Sequence, residues 1–217
     1  MHERRGTAAE LHALDVLAEP STVWRMAPTA PTIVLGSSQR DDVVDDAELG
    51  RRGLQRCRRR SGGGVVLVDP DDSVWVDVVV PVGDPRWDDD VSRAFHWLGD
   101  AWVDALASVG VGAVSHRGEP VCRGAGRVVC FAGLGSGEVT VDGRKVVGIS
   151  QRRDRRGARF QCVVHRRWDP DSVLSLLGPG AGDDRAREKI RERLTQHVAP
   201  VERLDEAFDA LVSILTH

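Results

Sequence analysis

No apolar run in the chain is long enough to cross a bilayer, which removes a membrane-spanning role. The N-terminal segment MHERRGTAAELHALDVLAEP carries acidic residues inside its apolar part, so the continuous hydrophobic stretch of a secretory leader is also lacking. The expectation is a cytoplasmic protein without a membrane partner. Cysteine is sparse and scattered: Cys57, Cys122, Cys130 and Cys162 form no C-x-x-C pair and no His/Cys cluster at zinc spacing. Disulfides are not expected in a reducing compartment. Basic residues are not in excess, with 30 Lys and Arg against 33 Asp and Glu, and the basic runs at 56–60 and 152–156 have no interleaved aromatics. Nucleic acid is therefore not an expected partner. Two phosphate motifs are missing as well. There is no G-x-x-x-x-G-K-[ST], and GLGSGE at 133–138 lacks the strand, helix and acidic residue of a dinucleotide fingerprint.

What is present reads as one folded unit. The chain has 217 residues, 41% hydrophobic and 29% charged, enough for one sizeable core. Leu11, Leu14 and Leu17 predict a helix over 8–18; STVWRM and TIVLG predict strands; DVVDDAELGRRG predicts a second helix. Residues 64–68 and 73–80 read as strands of a hairpin turned by Asp69-Pro70-Asp71-Asp72. Val91, Phe95, Leu98, Trp102, Ala105 and Val109 share one stripe of a long helix that starts at an acidic first turn over 88–90. Strands are expected at 126–131, 137–141, 144–151 and 159–165, with a tight turn at Asp142-Gly143. From about residue 170 the pattern is helical to the end, through VERLDEAFDALVSILTH. This order predicts an α+β fold with a mixed, mostly antiparallel β-sheet flanked by helices, as a single domain over 1–217 without a separate accessory domain.

The stretch RRRSGGGVVLVD, from Arg58, concentrates like charge and conformational freedom at one strand entrance. Consecutive glycines cost backbone entropy and are expected where the chain takes positive φ or where a ligand approaches the backbone. Arginine supplies a fork of donors suited to carboxylate or phosphate oxygens. The stretch therefore predicts an anion site, with a glycine bulge at a strand start as the alternative.

These residues resemble the RR-x-SGGGAV-x-x-D signature of the lipoate-protein ligases and their octanoyltransferase relatives, which share a catalytic fold with biotin ligases. VDGRKVVGISQRR at 141–153 is similar to the family's second block, G-[RK]-K-[IV]-x-G-x-[AS]-x-R, whose lysine matches Lys145. TVWRMAPTAPTIVLGSSQ is similar to a third, W-R-x-x-x-P-x-V-V-x-G-x-x-Q. The resemblance implies a biotin/lipoate-ligase-like catalytic domain. It also implies an enzyme that attaches lipoate or octanoate to a lysine of a lipoyl-carrier domain, such as that of a 2-oxoacid dehydrogenase or a glycine cleavage protein. In the ligases ATP and Mg2+ make an acyl-adenylate first. On that reading Lys145 is catalytic, Arg58, Arg59, Ser61, Gly62, Gly63, Gly64 and Gly148 bind the acyl group or adenylate, and Glu138, where the ligases carry Asn-Asp, offers a carboxylate to Mg2+.

CFAGLGSGEVTVDGRK, starting at Cys130, supports a second reading. One octanoyltransferase type has a Cys-Phe pair the same fifteen residues ahead of its lysine and takes its acyl group from acyl carrier protein, without ATP. Cys130 would then carry a thioester. A third reading is a non-catalytic acyl-binding or accessory subunit, and a separate accessory polypeptide is a further possible partner. His116 and His165 stand alone, without a nucleophile or carboxylate signature, and read as structural.

Overall fold

Thr7 opens the first helix with a reciprocal cap. Its Oγ1 accepts the Glu10 N–H at 3.2 Å while the Glu10 carboxylate accepts the Thr7 N–H at 2.8 Å, satisfying two donors that a helix start leaves open. The computed structural model, which describes residues 1–19 and 22–216, sets strand β1 (His2–Gly6) before this helix, α1 (Ala8–Ala13). The helix expected over 8–18 stops at Ala13, and Val16–Ala18 forms a separate 3-10 turn. Then come β2 (Val23–Pro28), β3 (Thr32–Leu35), α2 (Asp46–Arg52), β4 (Gln55–Arg58), β5 (Val66–Val68) and β6 (Ser73–Pro81). Next are α3 (His96–Ser108), β7 (Val114–Ser115), α4 (Arg123–Val128), β8 (Val139–Val141), β9 (Arg144–Asp154) and β10 (Gly157–His165). Three helices follow: α5 (Pro170–Leu174), α6 (Asp184–Gln196) and α7 (Leu204–Thr216). Ser21 of the expected strand and His217 of the expected last helix lie outside the described residues. Among the described residues no helix is long and apolar enough to cross a membrane.

The strands form a seven-stranded sheet, in the order β1-β2-β6-β10-β9-β8-β7, and a three-stranded sheet, β4-β3-β5. Only β1/β2 and β3/β4 pair parallel; the other pairs are antiparallel. The fold is the expected α+β class with a mixed, mostly antiparallel sheet. The turn between β8 and β9 has Asp142 at φ 49° and Gly143 at φ 73°, the two positive values that a two-residue type I′ hairpin turn requires.

Three local expectations are corrected. β5 and β6 are not a hairpin: β5 pairs with β3 in the small sheet, while both edges of β6 are taken by β2 and β10. The long helix begins at His96 rather than near 88, because the Asp88 and Asp90 carboxylates accept the N–H groups of Asp90 and Ser92 (both 2.8 Å), so local turns replace the first helical bonds. Residues 126–131 are not a strand. Helix α4 runs to Val128, and Val129 touches a neighbour through one isolated parallel bridge, to Val65.

Alternation along β6 splits the molecule into two cores. Val74, Val76, Val78 and Val80 face α3 and α7, packing with Leu98, Trp102, Leu106, Leu204, Phe208 and Leu211. Trp75 and Val79 face the small sheet, where Ile33, Val34, Leu35, Val66 and Val68 are buried. Each such large side chain contributes about 1.5–3 kcal/mol on burial. The candidate site lies in the second core, between the two sheets.

Candidate active site

Three backbone segments meet around Cys130. Cys130 begins a 3-10 turn, Cys130–Ala132, and its N–H donates to the Val65 carbonyl at 2.9 Å. Val65 N–H in turn donates to the Val128 carbonyl at 2.9 Å. This junction requires Gly64. A Cβ there would lie 2.6 Å from the Gly126 carbonyl oxygen and 2.7 Å from backbone atoms of Val128 and Val129, distances that rigid backbone cannot yield to. Gly63, at φ 101°, makes the turn into the junction. The third segment is gripped by Gln39, whose Nε2 donates to the carbonyls of Arg127 and Val128, both at 3.0 Å.

The arginines brace this assembly. Arg58 donates to the carbonyls of Gly36 (2.8 Å) and Gln39 (2.6 Å) and pairs with Asp41. Arg59 is only 3% exposed and donates to the carbonyls of Gly62 (2.9 Å) and Gly64 (2.8 Å). Burial lowers its pKa below the usual guanidinium value. The anion site expected from RRRSGGG is thus built differently: Arg59 binds the carbonyls of the glycine loop, and Arg58 binds those of Gly36 and Gln39 and the Asp41 carboxylate. Ser61 is likewise engaged, donating to Gln161 Oε1 at 2.9 Å and lying 3.1 Å from Ser150 Oγ.

Lys145, the lysine that the resemblance sets fifteen residues after Cys130, reaches the Cys130 carbonyl. Its ammonium, 3% exposed, donates to the carbonyls of Cys130 and Gly133 (both 3.1 Å) and to Glu138 Oε2 (2.6 Å). These three acceptors use all three of its protons. The ammonium also lies 4.9 Å from the centre of the Phe131 ring. Gly148 makes room for this stack, since a Cβ there would meet Phe131 at 3.1 Å and Lys145 Cε at 3.5 Å. On the far side of Phe131 stands His165, with ring centroids 4.7 Å apart, and burial pushes its pKa down to about 4.

Glu138 does not fit the Mg2+ role that the resemblance implied. Its carboxylate is 5% exposed, and Oε2 takes the Lys145 ammonium and the Gly135 N–H (2.7 Å) while Oε1 takes the Ile149 N–H (3.0 Å). Hard divalent cations need several open oxygens. Among the described residues no three His, Cys, Asp or Glu side chains are grouped to hold a metal ion.

Beside Cys130 opens a small cavity of about 30 Å³ between the sheets, lined by Val66, Val68, Trp75, Phe131, Gly148 and Val163 together with Arg59, Gln161 and His12. A mostly apolar lining with a few polar groups is that of small-molecule pockets. His12 was not singled out from the sequence, although Ala8, Leu11 and His12 share the buried face of α1 at i, i+3, i+4 spacing. Its Nδ1 lies 3.2 Å from Gln161 Nε2, its Nε2 has no partner, and burial, reinforced by Arg159 and Arg59, pushes its pKa down to about 3. Arg159 holds α1 in place: it pairs with the fully buried Asp77 and donates to the carbonyls of Leu11 (2.9 Å) and Leu14 (3.0 Å). Cys130 also lines a groove of about 500 Å³, which shares Cys130, Ile149 and Ser150 with the cavity. The thiol therefore stands where an apolar chamber meets a larger groove. The remaining cysteines are elsewhere; burial raises Cys57 to about 11 and Cys162 to about 12.

Residues 8–211 match the family model "Lipoyl protein ligase A/B catalytic domain". An octanoyltransferase LipM from Kyrpidia tusciae is 29% identical, over 95% of this chain and 82% of its own. A second LipM, from Geobacillus kaustophilus, is 24% identical over 87% of this chain and 72% of its own. The fold is that of a bipartite lipoate protein ligase of Thermoplasma acidophilum, studied with its E2 lipoyl domain (TM-score 0.72, 18% identity, 98% of this chain and 82% of that one). It is also that of lipoate-protein ligase A bound with ATP (TM-score 0.67, 17% identity, 98% and 83%).

Proposed function

The chain belongs to the lipoyl protein ligase A/B catalytic domain family, and on that premise we propose that it is an octanoyltransferase carrying the acyl group on Cys130. The observation that carries this reading is the position of Cys130: held by backbone bonds at the mouth of an apolar cavity, with the Lys145 ammonium on its own carbonyl. The LipM relatives support the same reaction class.

In the first half-reaction Cys130 Sγ, having lost its proton, attacks the carbonyl carbon of an acyl thioester. A new C–S bond forms, the donor's C–S bond breaks, and the donor thiol leaves with a proton. In the second, the uncharged amine of a lysine on a lipoyl domain attacks the Cys130 thioester. An amide forms and the Cys130 thiol is regenerated. Both steps pass through an oxyanion. Lys145, neutralised by Glu138, acts as an anchor: its ammonium holds the carbonyls of Cys130 and Gly133 and so fixes the turn that carries the nucleophile. The acyl chain enters beside Val66, Val68, Trp75 and Val163, and their side chains move apart to admit it. No ATP is consumed on this route. The engaged Glu138 and arginines support it over an acyl-adenylate.

Intact mass of the protein tests the proposal directly. Incubation with octanoyl carrier protein should add one octanoyl group to the wild type and none to Cys130→Ala, and the wild type should pass the group to a lipoyl domain. Modification of the lipoyl domain that requires ATP and Mg2+ and survives Cys130→Ala would overturn it.

A further inference from the structure

Helix α4 carries two arginines that nothing in the fold uses. Arg123 and Arg127 stand one turn apart, both exposed, and both line the groove beside Cys130. Among the described residues neither guanidinium has an ion pair or a hydrogen bond, whereas Arg58, Arg59, Arg93 and Arg117 are bound to carboxylates or carbonyls. Like charges at i, i+4 oppose helix formation, and here they do so in a six-residue helix that already contains Gly124 and Gly126. The rest of the groove wall near them is apolar, formed by Val91, Phe95, Pro120, Val121 and Leu134. Val91 and Val121 are exposed, at 55% and 39%.

The groove is thus lined by Cys130, by an apolar flank and by two exposed arginines that are unpaired among the described residues. That combination suits a thioester joined by a thin amide-and-alkyl chain to a phosphate. We propose that Arg123 and Arg127 bind the phosphate of a phosphopantetheine arm while its acyl thioester lies at Cys130. Arginine forks suit phosphate oxygens, and charge-assisted contacts of this kind are the strong ones. The arm belongs equally to coenzyme A and to a carrier protein, and the shared chemistry is the phosphate on the pantetheine, part of a diphosphate in the first and of a phosphodiester in the second. This inference rests on the reading of Cys130 as the acyl acceptor.

The test compares Cys130 acylation, followed by intact mass, from octanoyl-phosphopantetheine, octanoyl-pantetheine, octanoyl-CoA and octanoyl carrier protein. In the wild type the phosphorylated donors should be preferred. In Arg123→Ser/Arg127→Ser the kcat/KM ratio of octanoyl-phosphopantetheine to octanoyl-pantetheine should fall at least about tenfold, the scale of one lost charge-assisted bond, with parallel losses for the CoA and carrier donors. An unchanged ratio overturns the inference. So does a loss confined to the carrier protein, which would put the arginines on a protein surface, or one confined to CoA, which would put them on its nucleotide. Failure of the wild type with every donor would instead defeat the Cys130 reading. The subsite is then decided by calorimetric titration of Cys130→Ala protein with phosphopantetheine against pantetheine: tighter binding of the phosphorylated form, lost in the arginine variant, supports it, and equal binding overturns it.

Discussion

Replacing Lys145 by Met keeps a long flexible side chain and removes the charge, leaving Glu138 buried with no counter-ion. Breaking a buried pair by removing one partner costs about 3–5 kcal/mol. Two N–H groups, of Gly135 and Ile149, still hold the carboxylate, which places the expectation near the lower end, about 3 kcal/mol. For a chain of this size each kcal/mol moves Tm by about 2–4 °C, so the melting point should fall by roughly 6–12 °C. The double variant Lys145→Met/Glu138→Gln removes the stranded charge and should recover most of the loss while remaining inactive. Urea and thermal melts of wild type, both single variants and the double variant form the cycle that isolates the pair. A cost below about 1 kcal/mol for Lys145→Met, or a double variant no more stable than the weaker single one, would refute the claim that the pair is a buried, mutually dependent unit.

The glycine loop gives a sharper contrast. Gly62→Ala meets nothing within 4 Å and should change stability by less than about 0.5 kcal/mol. Gly64→Ala collides with backbone at 2.6 Å and should lower both the denaturation midpoint and Cys130 reactivity towards iodoacetamide; equal effects of the two would show that the junction is not close-packed. Stability should also fall with acidification. His12 and His165 are held neutral in the fold, at about 3 and about 4, against an ordinary 6.5, so below pH 6.5 the unfolded chain binds protons that the fold refuses. Full stability is present above pH 6.5 and declines toward pH 4, each histidine adding a slope of up to about 1.4 kcal/mol per pH unit. Urea midpoints at pH 7 and pH 5 measure it, and His165→Phe should flatten the decline; a midpoint independent of pH over this range would contradict the assignment.

Features governed by neighbours in the chain were legible beforehand. The stripe through Leu98, Trp102 and Ala105 follows from local periodicity and the turn at Asp142-Gly143 from local turn chemistry, and both appear in the fold. Features governed by remote partners were not. Val128 and Val129 have strand chemistry, but α4 claims the first and a single bridge to Val65 the second. Nothing in the segments around β5 and β6 reveals that the two strands join different sheets. Arg59 bonds main-chain carbonyls, which every residue possesses and which leave no mark in a sequence, and Arg58 adds to two such carbonyls the carboxylate of Asp41, seventeen positions back. Glu138 read as a metal ligand because its counter-ion, seven positions on, is fixed only once β8 and β9 fold against each other. Gln39 was visible within a motif, but its work, holding the carbonyls before Cys130, was not.

The junction of Val65, Val128 and Cys130 is made of main-chain atoms. The exposed side chains at 123 and 127 take no part in these bonds, so those two positions are free to diverge without moving the nucleophile. Recognition of the donor and location of the reactive sulfur can therefore change independently of each other. A lineage could retune which carrier it accepts by altering that short helix, while the chemistry one turn away stays where it is.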